Sequence, residues 1–399
     1  MNLAALKHQD VALVWKAGVR AARLSRLADG VVFEYEPDYR GPEVAFSLPR
    51  DVGVVRHAAG ALPPFFSGLL PEGRRLSAIR AATKTSADDE LTLLLAVGDD
   101  AIGDVRVLPL DAVPGDPRTD AHGAPPLAEA DFGALFASAV GAEPVDRVAI
   151  AGAQDKVSGR MISLPVDHAG AAWLLKLDPP EFPGLVANEA FFLAAARDSG
   201  LEVADAEVVR DKNGRPGLLV RRFDRVAAGD RLVALAQEDA CQVLGRYPAD
   251  KYRFTAEQVV RGLAACTTAP VVAARTLLVQ FAFAYLTCNG DAHAKNFSVL
   301  GGDEWRVAPA YDLPSTQPYG DHTMALSVGG KDREDIGRAD FVALGDACGV
   351  PPKATARVLD RLLAAQPRWL ERLDELPFDA RRIHRLRQAC RYRAARLAG

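Results

Sequence analysis

The stretch TCNGDAHAKNFSVL holds the densest set of reactive side chains in the sequence, in a polar loop between an apolar helix and an apolar strand. Asp291 and Asn296 stand five residues apart there. That is the spacing at which protein-kinase catalytic loops place the Asp that orients a hydroxyl and the Asn that binds metal. Asp312 follows in APAYDLP, just after a strand, where its carboxylate can meet a magnesium ion held by Asn296. Upstream, Lys176 in WLLKLD can bring an ammonium to nucleotide phosphates, and Glu189 on the next helix can pair with it and fix its position. The turn AGAQDKVSG adds Gly152 for close backbone approach, amides for phosphate and a second cation at Lys156. Gly-Lys-Ser/Thr is absent, so this is no Walker loop, and no GxGxxG follows a strand.

Each of these residues has a plainer reading. A lone loop Asp or Asn forms turns, an isolated Lys snorkels from an apolar strand, and Glu189 can serve the positive end of its own helix. Taken together, Asp291, Asn296 and Asp312 favour phosphotransfer. His293 has no second His or Cys at metal-site spacing and is expected to line the pocket. Glu238, Asp239 and Gln242 in QEDACQ suit either placement of a protein substrate or helix capping.

These residues need elements to hold them. Residues 1–110 alternate β-like runs, Val11 to Trp15 and Gly30 to Tyr35 among them, with turns, and then turn helical at FFSGLLPEGRRLSAIRAATKT, with Asp88 able to cap a helix through Val97. Residues 111–130 are rich in Pro, Ala, Gly and Asp and read as a linker. Residues 131–230 read as a small sheet with a helix from Asn188 to Ser199 stopped by Gly200. Residues 231–399 read as a helical lobe, with a buried helix over Val271 to Leu286 running to Asn289 and an inserted hairpin of FSVL and WRVAPAY. The expected class is therefore α+β in two lobes behind a small N-terminal α+β module.

Bulk properties agree with a folded, non-membrane chain. Of 399 residues, 49% are hydrophobic and 25% charged, which excludes disordered and fibrous classes. The net charge of −4 gives no overall pull toward nucleic acid. Five scattered cysteines without CxxC pairing fit a reducing cytoplasm, and the N-terminus lacks a signal-peptide pattern. The C-terminal run RRIHRLRQACRYRAARLAG carries seven arginines, and a solvated helix face is favoured over contact with DNA phosphates.

In order, GAQDK, LVRRFDR, EDACQ, DKY, NGDAHAKNFS and APAYDL resemble the HipA family of serine/threonine kinases, and FFSGLLPEG with LLAVGDDAIGDV resembles that family's N-terminal module. The resemblance implies a two-lobed, protein-kinase-like fold that moves the ATP γ-phosphate onto a Ser hydroxyl with Mg2+. By it, Asp291 matches the catalytic Asp, Asn296 and Asp312 the magnesium ligands, and Lys176 the nucleotide-binding lysine. Ala151, Gly152, Ala153, Gln154, Asp155 and Lys156 match the phosphate loop. Arg221, Arg222 and Phe223 match the adenine hinge, and His293, Lys295 and Tyr311 the pocket lining. Arg221 departs from the Glu common in the family, which a backbone hinge contact tolerates. Ala149 replaces the serine whose autophosphorylation expels the phosphate loop, which leaves Ser158 as the nearest acceptor. The resemblance also implies a HipB-like antitoxin, an aminoacyl-tRNA synthetase such as the glutamyl enzyme as protein target, and operator DNA reached through the antitoxin complex. Two other readings stand beside it: a small-molecule kinase of related fold, and a catalytically weak corepressor acting with its antitoxin on operator DNA.

Overall fold

The structure, a computed structural model, describes residues 3–115, 126–140, 161–179, 181–229, 231–302 and 304–399. The whole expected phosphate loop, Ala151 to Lys156, lies outside the described residues, as do Ala149, Ser158 and the first strand of RVAIAGAQDKVSGRMISLP.

The N-terminal part opens with strands β1 (Val11–Lys16), β2 (Val19–Leu27), β3 (Gly30–Tyr35) and β4 (Val55–Ala58). Helices α1 (Pro64–Gly68), α2 (Gly73–Thr83) and α3 (Glu90–Val97) follow, and strand β5 (Val105–Pro109) closes the sheet in the order β4-β3-β2-β1-β5. Alternation along β1 and β2 sends Ala12, Val14, Ala22 and Leu24 inward, against Phe33, Phe66, Leu91 and Leu94 in one core. The cap of α3 is Asp89, one residue beyond the Asp88 expected from sequence, because the Asp89 side chain accepts from the Thr92 amide and also holds Arg26 at 2.7 Å.

Next come helix α4 (Phe132–Val140), strands β6 (Ile162–His168) and β7 (Ala171–Leu177), helix α5 (Leu185–Asp198), and strands β8 (Ala206–Arg210) and β9 (Pro216–Arg221). The four strands form an antiparallel sheet in the order β6-β7-β9-β8. Gly200 takes φ +85° beyond the end of α5, as its sequence position predicts. A separate hairpin, β10 (Arg225–Ala228) with β11 (Arg231–Ala234), leads out of this sheet. Sequence periodicity did not indicate it.

The remaining chain is mainly helical. A three-residue strand, β12 (Gln237–Asp239), precedes helices α6 (Ala240–Val243), α7 (Ala256–Ala265) and α8 (Pro270–Leu286). Strands β13 (Ser298–Leu300) and β14 (Arg306–Val307) complete a sheet in the order β12-β13-β14, and helices α9 (Arg338–Ala347), α10 (Pro352–Leu370) and α11 (Ala380–Ala398) finish the chain. Helix α8 is the centre of the larger core, with Leu277, Phe281, Phe283 and Tyr285 fully packed, although Val271 and Val272 at its start are exposed. It stops at Leu286, three residues before the expected Asn289, because Cys288 turns left-handed at φ +56°. On α11 most arginines face water, but Arg393 is buried and donates to the carbonyls of Tyr285 (2.9 Å) and His322 (2.7 Å). It caps the end of α8 from the far terminus. No helix among the described residues is long and apolar enough to cross a membrane.

Candidate active site

The end of α8 passes directly into the loop that carries Asp291. Gly290 is required in it, because a Cβ there would stand 2.5–2.7 Å from Asp321 Oδ2, Thr316 Oγ1 and the Thr323 carbonyl. The Asn289 side chain accepts from the Asp291 amide at 3.0 Å, and the Asn296 Nδ2 donates to the Asp291 carbonyl at 2.8 Å. Phe297 then stacks on Phe281 of α8 with centroids 4.1 Å apart, which anchors the loop's exit to the core. The loop is thus fixed at both ends.

Across the cleft, β7 delivers Lys176 and α5 delivers Glu189. Lys176 Nζ lies 2.6 Å from Glu189 Oε1 and 3.1 Å from Asp312 Oδ1. Asp312 adopts φ +57°, a left-handed backbone that costs a non-glycine residue roughly 1 kcal/mol. Such strain in a cleft is the kind that persists where the neighbours dictate a side chain's aim. Burial disfavours the Lys176 charge, but Asp312 and Glu189 together more than offset this and raise its pKa. Burial would also raise Asp312, yet Lys176 holds it below the usual carboxylate range. Glu189 is fully buried and its pKa is raised by that burial against the pull of Lys176.

A cavity of about 400 Å³ opens over this set, large enough for a nucleotide-sized ligand. Lys176, Arg221, Arg222, Phe223, Lys295 and Tyr311 line it, together with Gly68 to Glu72 of the N-terminal part. Asn296 and Asp312, with Asn289, share a second void of about 10 Å³ beneath it. The chemistry of these two side chains suits magnesium: the amide nitrogen of Asn296 is spent on the loop, which leaves its Oδ1 as the group able to bind a cation, and the Asp312 carboxylate lines the same void. No group of three or more His, Cys, Asp or Glu among the described residues is arranged to hold a metal, so nucleotide phosphates and water must complete such a shell.

Several expected residues take other positions. Arg222 borders the cavity, but its guanidinium is held in a buried latch, 2.7 Å from Asp100 and 2.9 Å from Asp224. Arg221 is half exposed and reaches Asp205 at 3.8 Å. His293 does not line the larger cavity; it packs edge-on against Tyr252 at 5.1 Å and burial lowers its pKa to about 3, so it is neutral. Tyr311 donates to the Lys295 carbonyl at 2.8 Å and tilts against Phe223 at 5.6 Å.

Sequence reasoning missed Tyr252, whose hydroxyl donates to Asp291 Oδ1 at 2.6 Å and fixes that carboxylate. Of the two readings of EDACQ, helix capping is the one the structure shows, and its contact with the N-terminal part was not foreseen. Glu238 accepts from the Phe46 amide at 3.0 Å, Gln242 donates to the Phe65 carbonyl at 3.0 Å, and Asp239 and Gln242 form the capping box of α6. The motif is a docking strip for the N-terminal part. A run of acid and amide at the start of so short a helix is the one signal that pointed to it.

Sequence profiles agree with this architecture. The HipA N-terminal domain profile matches residues 12–108, and the HipA-like C-terminal domain profile matches residues 148–370. Y4mE of Sinorhizobium fredii, which carries a provisional kinase name, is 34% identical over 80% of this chain and 82% of its own length. The serine/threonine-protein kinase toxin HipA of Shewanella oneidensis is 26% identical over 76% of this chain and 75% of its own. The solved complex of Shewanella oneidensis HipA with HipB and operator DNA superposes with a TM-score of 0.76, at 22% identity and over 96% of both chains. The fold is the two-lobed, kinase-like α+β fold of that structure, and the chain belongs to the HipA family.

Proposed function

We propose that the chain is an ATP-dependent serine/threonine protein kinase that transfers the γ-phosphate to a Ser hydroxyl of a protein target. The observation that carries this reading is the bonded set Lys176, Glu189 and Asp312, in which Asp312 shares a void with Asn296 of the loop that carries Asp291. In this reading Lys176 binds nucleotide phosphates, with Glu189 aiming it. Asp291, held by Tyr252, accepts a hydrogen bond from the substrate hydroxyl and orients its attack in line with the leaving group. Asn296 and Asp312 would hold magnesium, which would supply charge neutralisation at the phosphates. The adenine end of the cavity is formed by Phe223, Tyr311 and the backbone at Arg221 and Arg222. Ala151 to Lys156 complete the phosphate site, Ser158 is the acceptor for any autophosphorylation, and residues 1–110, 131–230 and 231–399 form the module and the two lobes.

The names of the relatives, a HipA toxin and a complex of HipA with HipB and operator DNA, support a HipB-like antitoxin and operator DNA reached with it, while an aminoacyl-tRNA synthetase as target rests on the sequence resemblance alone. Five free cysteines are compatible with a cytoplasmic site of action. Cell extract incubated with γ-labelled ATP tests the reading, beside Asp291→Asn. Label in a discrete protein band that disappears in the variant supports it. Label only in small molecules would replace it with a small-molecule kinase, and no transfer despite nucleotide binding with a corepressor.

A further inference from the structure

The first turn of α2 touches both lobes at once. Arg75 donates to the Ser163 carbonyl of β6 at 2.9 Å and Arg74 pairs with Glu181 at 2.8 Å, so this turn holds one side of the cleft. Glu72, the residue before the helix, reaches the other side. One of its carboxylate oxygens lies 2.8 Å from Lys295 Nζ, and the other pairs with Lys251 Nζ. Lys295 also donates to the Gly68 carbonyl at 3.3 Å.

Both lysines belong to the segments that hold the Asp291 loop. Lys295 is within it, and Lys251 accepts through its carbonyl from the Ala294 amide at 3.1 Å while its neighbour Tyr252 binds Asp291. Glu72 and Lys295 line the same cavity as Lys176. Both lysine side chains are only 14% exposed, so each is largely withdrawn from water and depends on a fixed counter-charge. Burial opposes ionisation of Glu72, but Lys295 and Lys251 outweigh it and hold its pKa down at about 2. Charge arithmetic matters here: one carboxylate serves two cations, so the trio keeps a net positive charge beside the phosphotransfer groups.

We propose that Glu72 is a positioning residue of phosphotransfer, by which the N-terminal module holds Lys251 and Lys295 toward the terminal phosphate of ATP. The proposal rests on the kinase reading above. It makes the module a working wall of the site, because the carboxylate that bridges these two lysines comes from the module. Two cations fixed at the transferred phosphate would stabilise charge that moves there during transfer. The same carboxylate repels that phosphate in the ground state, so its removal must affect binding and turnover in opposite directions.

The test uses the full chain, titrated by calorimetry with ATP and with ADP in excess Mg2+, and its rate of phosphate transfer. In Glu72→Gln the lysines lose their common anchor and the repulsion disappears together. The expected result is MgATP binding tighter by about threefold, MgADP binding changed by less than about 1.5-fold, and transfer slower by about tenfold. Glu72→Asp, which keeps the charge, should return the ATP-to-ADP affinity ratio to that of the wild type. Phe46→Ala serves as the docking control: Phe46 packs on Trp305 at 4.6 Å in the same seam but away from the lysines, so it should move both nucleotides in parallel. The inference is overturned if Glu72→Gln leaves the ATP-to-ADP ratio unmoved, or if Phe46→Ala reproduces its selective change. A wild-type chain that binds neither nucleotide would sink the kinase reading itself.

Discussion

Asp224 and Glu189 are two buried carboxylates with opposite surroundings. Asp224 is 2% exposed and receives hydrogen bonds on both oxygens, from Arg222, Arg225 and the Gly103 amide. Burial would raise its pKa, but the two arginines and those bonds bring it below the ordinary value. Glu189 is 0% exposed, has Lys176 on one oxygen, and its other oxygen has no hydrogen-bond partner among the described residues. Its pKa moves up instead. The first carboxylate belongs to a latch between the N-terminal part and the β10 hairpin, saturated and suited to permanence. The second sits in the cleft and is under-served, which is how groups look where a charged ligand is still to come. A buried ion pair by itself therefore says little about its purpose; the completeness of its shell says more.

The sharpest way to break this contrast is at Asp291. Asp291→Asn should lower phosphate transfer by about a thousandfold with the melting temperature nearly unchanged, read by labelled-ATP transfer and thermal unfolding. In the latch the effect should fall on stability. Asp224→Ala leaves two buried guanidinium groups without their carboxylate and should cost about 3–5 kcal/mol in urea unfolding. A loss below about 1 kcal/mol would mean that water reaches this seam freely. Glu189→Gln should reverse that pattern, with transfer reduced by about 10- to 100-fold and stability altered by less than about 1 kcal/mol.

Glu238 supplies a pH test of the seam. Burial is the main reason its pKa rises, to about 8 from the ordinary 4.5, so the folded chain holds a proton that the unfolded chain releases in between. Its contribution to stability is complete below the unfolded value and is lost as pH rises through about 8. Between pH 6 and 9 the fall should be roughly 2–3 kcal/mol, and Glu238→Gln should flatten it. The smallest effect belongs to a pair in water: Arg306 and Glu202 meet at 3.0 Å with side chains more than half exposed. Arg306→Ala should change stability by no more than about 0.5 kcal/mol in the same assay.

Local signals made much of the fold legible. Alternation gave β1 and β3, Gly200 gave the end of α5, and apolar continuity gave α8 apart from its last turn. The α8 boundary moved because a left-handed Cys288, which no residue type announces, ends the helix early. Asp291, Asn296, Lys176, Glu189 and Asp312 could be singled out because their spacing and the family motifs carry the information. Contacts between distant segments could not. The resemblance places Arg222 in a hinge through its backbone, but it says nothing of the guanidinium, which pairs with Asp100, 122 residues away. Glu72 meets Lys251 across 179 residues, and nothing in PEG indicates a partner. Periodicity reports which face is buried, not which charge waits on the other side.

Arg393 gives the fold a timing. The helix that ends just before the Asp291 loop has the carbonyl of Tyr285, in its last turn, tied by a guanidinium 108 residues downstream. During synthesis every group of the cleft is therefore present well before the residue that fastens the helix beneath it. A chain grown only as far as the cleft carries those side chains without the brace that steadies the helix beneath them, so the packing of α11 is what fastens it.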